Sequence, residues 1–162
     1  MCVPADLQYT CCFLGHREIY ETAELKDQLY NLIEMLITVK RINTFLFGSK
    51  SHFNSLCYNL VTEAMAKHPH IKRIYVRAEF PVIAEDYKAY LLKYYEDTYY
   101  PASVHGAGKA AYIKRNCEMI DKSHFCVFYY REHSTPQGRN SGTKIAFDYA
   151  RKRNKQHYTF PR

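Results

Sequence analysis

The sequence predicts an α/β fold, a three-layer sandwich with a mainly parallel five-stranded sheet between two layers of helices. Three observations predict it. Short apolar runs alternate with longer segments whose apolar residues recur every 3.6 positions. Strands separated by helices are joined most simply by right-handed crossovers, which make neighbouring strands parallel and cover both faces of the sheet. Finally, Gly15, Gly48 and Gly142, three of the six glycines, fall where the chain passes from a strand towards a helix. In open parallel sheets that edge, near the point where strand order reverses, is where ligands bind.

Each element has its own signal. Gln8 to Phe13 reads as the first strand, ending at Leu14-Gly15-His16-Arg17. Leu25, Leu29, Leu32, Ile33, Leu36 and Ile37 form one helical stripe, so residues 20–40 are expected to be an amphipathic helix. Asn43 to Phe47 is the second strand and stops at Gly48-Ser49-Lys50-Ser51. Phe53, Leu56, Cys57, Leu60, Val61, Ala64 and Met65 mark the second helix, closed by Pro69. Ile71 to Val76 is the third strand, and Glu79-Phe80-Pro81 is extended because proline biases its predecessor away from helix. Residues 84–95 are expected to be helical. Asp97 to Gly108, with Pro101, Gly106 and Gly108, reads as an irregular loop able to close over a site. Ala110, Ile113, Cys117 and Ile120 mark a helix to about Lys122, and Phe125 to Tyr130 is the most apolar strand. Arg131 to Asn140 is a polar loop, Ser141 to Arg153 a helix with Ile145, Ala146, Tyr149 and Ala150 inward, and His157 to Phe160 a last strand. The whole is Rossmann-like, without an internal repeat.

The length of 162 residues suits one domain, spanning 1–162, with a full core. A hydrophobic content of 47% argues against disorder, and the apolar runs are too short to span a bilayer, so no membrane association is expected. The start Met-Cys-Val-Pro-Ala-Asp lacks the basic residues and long apolar stretch of a secretory signal, which predicts a cytoplasmic protein. Cys2, Cys11, Cys12, Cys57, Cys117 and Cys126 form no Cys-x-x-Cys pair and read as buried free thiols. The eight histidines show no metal-ligand spacing, and neither a metal nor a cofactor is expected. The net charge of +7 is uneven: from residue 109 onward there are 12 Lys or Arg against 4 Asp or Glu, whereas residues 1–108 hold 11 against 12. The positive field therefore belongs to the part of the chain that carries the Ser141-Gly142-Thr143 turn. Such a field attracts nucleotides or nucleic acid, although Arg151-Lys152-Arg153-Asn154-Lys155 also reads as a solvated helix end.

The segment Gly138-Arg139-Asn140-Ser141-Gly142-Thr143 is the strongest candidate site. A small-residue turn running into a helix presents free backbone N–H groups, the helix dipole favours an anion there, and no acid follows until Asp148. The alternative is an ordinary N-cap. Gly48-Ser49-Lys50-Ser51-His52 has the same character, with no acid before Glu63. At the first turn, Gly15-His16-Arg17 offers backbone and a guanidinium, but Glu18, Glu21 and Glu24 make the following helix start a poor phosphate clamp. His16 is placed either to contact a base or ribose or to satisfy the loop. Arg115 and Asn116 lie within a helix, where an arginine is usually a surface charge or an i, i+3 partner, here of Glu118.

Taken together, Thr10-Cys11-Cys12-Phe13-Leu14-Gly15-His16-Arg17, Phe47-Gly48, Lys114-Arg115-Asn116-Cys117-Glu118-Met119-Ile120-Asp121, Asn140-Ser141-Gly142-Thr143 and Tyr149-Ala150-Arg151 resemble the YpsA-like branch of the SLOG superfamily. That superfamily includes the LOG phosphoribohydrolases and the DNA-processing protein DprA. The resemblance covers nearly the whole chain. It implies a five-stranded parallel Rossmann-like domain that binds a nucleotide or nucleotide-derived ligand, makes Arg115 and Asn116 site candidates, and allows a homodimer. LOG enzymes cleave the N-glycosidic bond of nucleoside monophosphates with a Pro-Gly-Gly-x-Gly-Thr-x-x-Glu turn. Arg115, Gly142 and Thr143 match their pattern, but the Glu position is Ala146 and Gly138-Arg139-Asn140 replaces Pro-Gly-Gly. LOG-type hydrolysis should then be impaired, and Asp148 lies about 200° further around the helix. Asn54 also stands where YpsA-like sequences commonly carry an acid.

Three functions follow as expectations. The first is a sensor or binding module for an adenine nucleotide or ADP-ribose-like molecule, with phosphate at Ser141 to Thr143 and Ser49 to Ser51, Arg115 as charge partner, and His16 and Asn116 as ribose or base contacts. A second is a nucleoside monophosphate N-glycosidase using a rearranged carboxylate such as Glu118, Asp121 or Asp148. The third is a single-stranded nucleic-acid binder, suggested by the basic final third and 16 tyrosines, many of which core packing also explains.

Overall fold

The computed structural model describes residues 9–132 and 141–162. Six strands, β1 (Thr10–Gly15), β2 (Thr44–Phe47), β3 (Lys72–Val76), β4 (Asp97–Tyr99), β5 (Phe125–Tyr129) and β6 (Gln156–Phe160), form one sheet in the order β4-β3-β2-β1-β5-β6. Every pairing is parallel. Five helices connect them: α1 (Ala23–Thr38), α2 (His52–Ala64), α3 (Glu85–Tyr94), α4 (Ala111–Lys122) and α5 (Gly142–Lys152). The α/β class and the parallel sheet are those the sequence predicts, and the topology fits a Rossmann-like sandwich.

The strand count is corrected from five to six. The additional strand, β4, lies in the segment expected to be an irregular loop. It escapes sequence reading because three residues are too few to display an alternating pattern, and it lies at a sheet edge, where Asp97 and Thr98 stay partly exposed. It is fixed by pairing Ile74 with Asp97 and Val76 with Tyr99, and by the Thr98 hydroxyl, which donates to the Tyr75 carbonyl at 2.8 Å. Short 3₁₀ turns at Ala102–Val104 and Gly108–Ala110 follow, and Val104 packs with Ala78 and Tyr100.

The alternation of side chains along the strands divides the core in two. Phe13, Phe45, Phe47, Phe125, Val127 and Tyr129 point to the face covered by the apolar stripes of α1 and α2. Cys12, Leu14, Leu46, Ile74, Cys126 and Phe128 point to the other, where Met119 and Ile120 of α4 and Ala146 and Ala150 of α5 pack against them. The small residues of α5 bring it close to the sheet. Cys11, Cys12, Cys57 and Cys126 are buried free thiols and Cys117 is a half-buried one, while Cys2 lies outside the described residues. Among the described residues no helix is long and apolar enough to cross a membrane.

Strand order reverses at β1, which has β2 on one side and β5 on the other. The register sets Gly15 opposite Tyr129 and Phe47 opposite Tyr75, so β1, β2, β3 and β5 end at one edge of the sheet. The turns that leave those strands are thereby gathered into one place.

Candidate functional site

At that edge lies a cavity of about 530 Å³, lined by Leu14, Gly15, His16, Arg17, Gly48, Ser49, Lys50, Ser51, Tyr75, Glu79, Tyr112, Arg115, Asn116, Ser141, Gly142 and Thr143. Its volume is in the range of small-molecule sites. The structure brings all the sequence-predicted site residues into this one lining except Asn140, which, like Gly138 and Arg139, lies outside the described residues.

Two helix starts face the cavity. At α5, Ser141 is the N-cap, its backbone extended and its hydroxyl accepting from the Lys144 N–H at 2.9 Å. At α2, the Ser51 hydroxyl likewise accepts from the Asn54 N–H at 3.1 Å. The Ser-Gly-Thr turn is thus an N-cap, serine capping the third helical residue, and it lies in the lining of the cavity. Neither helix has an acid of its own in its first turn, and at α2 the Glu21 carboxylate approaches only through the His52 ring. By contrast α1 carries Glu24 in its first turn and is a poor anion site, as its sequence suggests.

Arg115 is the decisive side chain. It is not the surface charge its position in a helix suggests: it is 4% exposed. One guanidinium nitrogen, Nη1, donates to the Gly48 carbonyl, Nε donates to Asn116 Oδ1 at 3.0 Å, and the group lies 5.5 Å from the centre of the Tyr112 ring. All three partners are neutral. Among the described residues no carboxylate pairs with it, and burial lowers its pKa from the ordinary arginine value, opposed by Tyr75, Tyr112 and Glu79. An arginine stays protonated even so. Among the described residues a cation is thus buried beside a cavity with no carboxylate in contact, Glu79 acting on it only at longer range, an arrangement that costs free energy unless an anion compensates it.

The glycines differ in their reasons. A Cβ on Gly48 would lie 2.6 Å from Cδ of Arg115 and 2.7 Å from the sulfur of Met119, and one on Gly15 would enter the Phe53 ring. These two are required by packing. A Cβ on Gly142 would meet nothing within 4 Å, so packing does not require glycine there.

The turn after β2 is held from both sides. Asn54, buried in α2, accepts from the Gly48 N–H at 3.4 Å through Oδ1 and donates through Nδ2 to the Phe13 carbonyl at 3.0 Å. A carboxylate could accept from Gly48 but could not donate to Phe13, which explains why an amide suits this position. His16 plays a similar part at the strand reversal. The Arg131 N–H donates to His16 Nε2 at 2.9 Å, and burial lowers the imidazole pKa, so the ring is neutral and ties the end of β1 to the end of β5. The loop after β1 is tied to α2 as well, since the His52 N–H donates to the Arg17 carbonyl at 2.8 Å and Glu21 pairs with the His52 ring at 2.6 Å.

The carboxylates considered from sequence are elsewhere. Asp121 accepts from Tyr149 and Arg153, Asp148 pairs with Lys144 at 2.6 Å, and Glu118 is half-buried on α4 with burial raising its pKa; none lines the cavity. Ala146 lies in the core between α5 and the sheet. Residues 97–110 contribute nothing to the lining. Tyr75, Glu79 and Tyr112, which sequence reasoning missed, line it instead. Glu79 is an exposed carboxylate just beyond β3, and its Oε1 accepts from the Tyr112 hydroxyl at 3.0 Å. Tyr112 could have been found from its spacing, three residues before Arg115 on one helix face. No family model matches the chain, and no curated protein matches it.

Proposed function

We propose that this protein is a nucleotide-binding module of the YpsA-like SLOG type, which holds the phosphate of an adenine nucleotide or ADP-ribose-like ligand between the starts of α5 and α2. The observation that carries the reading is the buried guanidinium of Arg115, with no described carboxylate in contact, in one lining with the starts of α2 and α5. Phosphate is the anion that best satisfies such a seat, since it accepts from backbone N–H groups, serine hydroxyls and a guanidinium together. Gly142 leaves room for its oxygens at the α5 backbone. Asn116 and Arg17, both in the lining, would meet the sugar or base. Calorimetry with AMP, ADP-ribose and inorganic phosphate tests the reading, with Arg115→Ala as control. Heat of binding lost in the variant supports it, and no heat with any of the three sinks it.

A second reading, hydrolysis of a nucleoside monophosphate, is favoured by one observation, the presence of Glu79 in the lining. In that reaction water adds to C1′ of the ribose as the C1′–N bond breaks, a carboxylate takes the proton from water, and the base leaves protonated. Ala146 supports binding over cleavage, because the position that carries the LOG carboxylate has none and lies in the core. Release of free base from AMP, lost in Glu79→Gln, would favour the hydrolase.

A further inference from the structure

Among the described residues the lining carries three cations, Arg17, Lys50 and Arg115, and one carboxylate, Glu79. Glu79 makes no direct ion pair with Arg115 among the described contacts and acts on it at longer range; Tyr112 contacts both, with its ring 5.5 Å from the guanidinium and its hydroxyl donating to Glu79 Oε1 at 3.0 Å. The lining therefore holds two features of opposite preference. Arg115 and the helix starts attract an anion. The rim at Glu79 presents a group that only accepts hydrogen bonds and repels negative charge. The hydroxyl of Tyr112 donates to one carboxylate oxygen, Oε1, which biases the orientation of the group and leaves Oε2 to meet a ligand donor.

We propose that Glu79, oriented by Tyr112, is the specificity determinant of this cavity: it accepts a hydrogen bond from a donor on the ligand remote from the seated phosphate and rejects ligands with a second, separate anionic group there. The ligand class is a phosphate ester with one anionic end and a hydroxyl or amine opposite it. This inference rests on the phosphate-seat reading above. The donor is either a sugar hydroxyl or an amine of the base, and the probes below separate the two.

The test compares AMP, 2′-deoxy-AMP, IMP and adenosine 3′,5′-bisphosphate by calorimetry on the wild-type protein, Glu79→Gln and Tyr112→Phe. The wild type is expected to prefer AMP over the bisphosphate by about tenfold or more, the usual size of one charge-assisted hydrogen bond set against like-charge repulsion. In E79Q that ratio falls to within about threefold of unity, because the amide no longer repels the second phosphate. Y112F moves the ratio the same way by a smaller factor. Weaker binding of 2′-deoxy-AMP assigns the donor to the sugar, and weaker binding of IMP assigns it to the base amine. AMP bound equally well by wild type and E79Q with an unchanged preference over the bisphosphate overturns the role of Glu79 and leaves the phosphate seat standing. No binding of any of these esters, or of inorganic phosphate, by the wild type overturns both.

Discussion

The Arg115 guanidinium donates to the carbonyl of Gly48, joining the helix before β5 to the turn after β2 and drawing a buried cation to the edge of the sheet. Gly48 is held at both of its backbone groups, since its N–H donates to Asn54. Arg115 lies over Gly48 so closely that only a residue without a side chain fits there. The turn that contributes Ser49 to Ser51 and the charge that would meet a phosphate are thus one packed unit.

Gly48 and Gly142 should respond in opposite ways to alanine. Gly48→Ala forces Arg115 and Met119 aside, and overpacking of this kind destabilises by about 1–3 kcal/mol. Gly142→Ala has open space and should leave stability unchanged or raise it by up to about 1 kcal/mol, because alanine loses less conformational entropy than glycine in a helix. Urea unfolding measures both. Phosphate-ester affinity is expected to fall in each variant, in the second without any loss of stability, and a Gly142→Ala protein that binds as well as wild type would contradict the place given to that residue.

Asn54→Asp tests the bridge between β1 and β2. The variant keeps an acceptor for Gly48 but sets a carboxylate against the Phe13 carbonyl in a buried place. A destabilisation of about 1–3 kcal/mol at pH 7 is expected. Burial raises the pKa of a carboxylate, so its folded value lies above the unfolded one, and the protonated form both suits burial and donates. The sign is that the variant recovers stability as pH falls towards 4 and loses it as pH rises, relative to wild type at each pH. Denaturant melts at pH 4.5 and 7 check it, and a penalty independent of pH would contradict the proposed contact.

His16 gives a second pH dependence. Its folded pKa is lowered by burial, and Nε2 accepts from the Arg131 N–H. Its contribution is complete above the unfolded value near 6.5 and is lost as pH falls towards the lower folded value. Wild-type stability should fall between pH 7 and 5.5 more steeply than that of His16→Asn, which has no group titrating there. Parallel curves for the two proteins would show that His16 does not tie β1 to β5 in this way.

The strands that cross the middle of the sheet were legible because Phe13, Phe45 and Phe47 alternate with Cys12 and Leu46, and the pattern reveals which face each side chain takes. β4 was not, since Asp97-Thr98-Tyr99 is too short to show a period and is held by an edge pairing that no local signal reports. The cavity was legible through its turns. Gly15, Gly48 and Gly142 mark strand ends, and the rule that ligands sit at the carboxyl edge of parallel strands gathers them. Glu79 and Tyr75 sit at the same edge after β3 and within it, but no glycine turn marks that strand end. The burial of Arg115 was also beyond the local pattern, because a helix places an arginine on a face without saying what that face meets; only the contact with Gly48 from a distant turn decides it.

The measurement that bears most directly on the role of Arg115 is the thermal stability of wild type and Arg115→Met with and without AMP. Replacing an uncompensated buried cation by an apolar side chain of similar length is expected to leave the free protein within about 1 kcal/mol of wild type, the lost hydrogen bond to Gly48 being offset by relief from burying charge. A bound ligand raises the melting temperature by mass action, so AMP should raise that of wild type and leave that of the variant unmoved. An equal rise in both proteins, or none in wild type at millimolar AMP, would contradict the assignment of Arg115 as the cation of a phosphate seat.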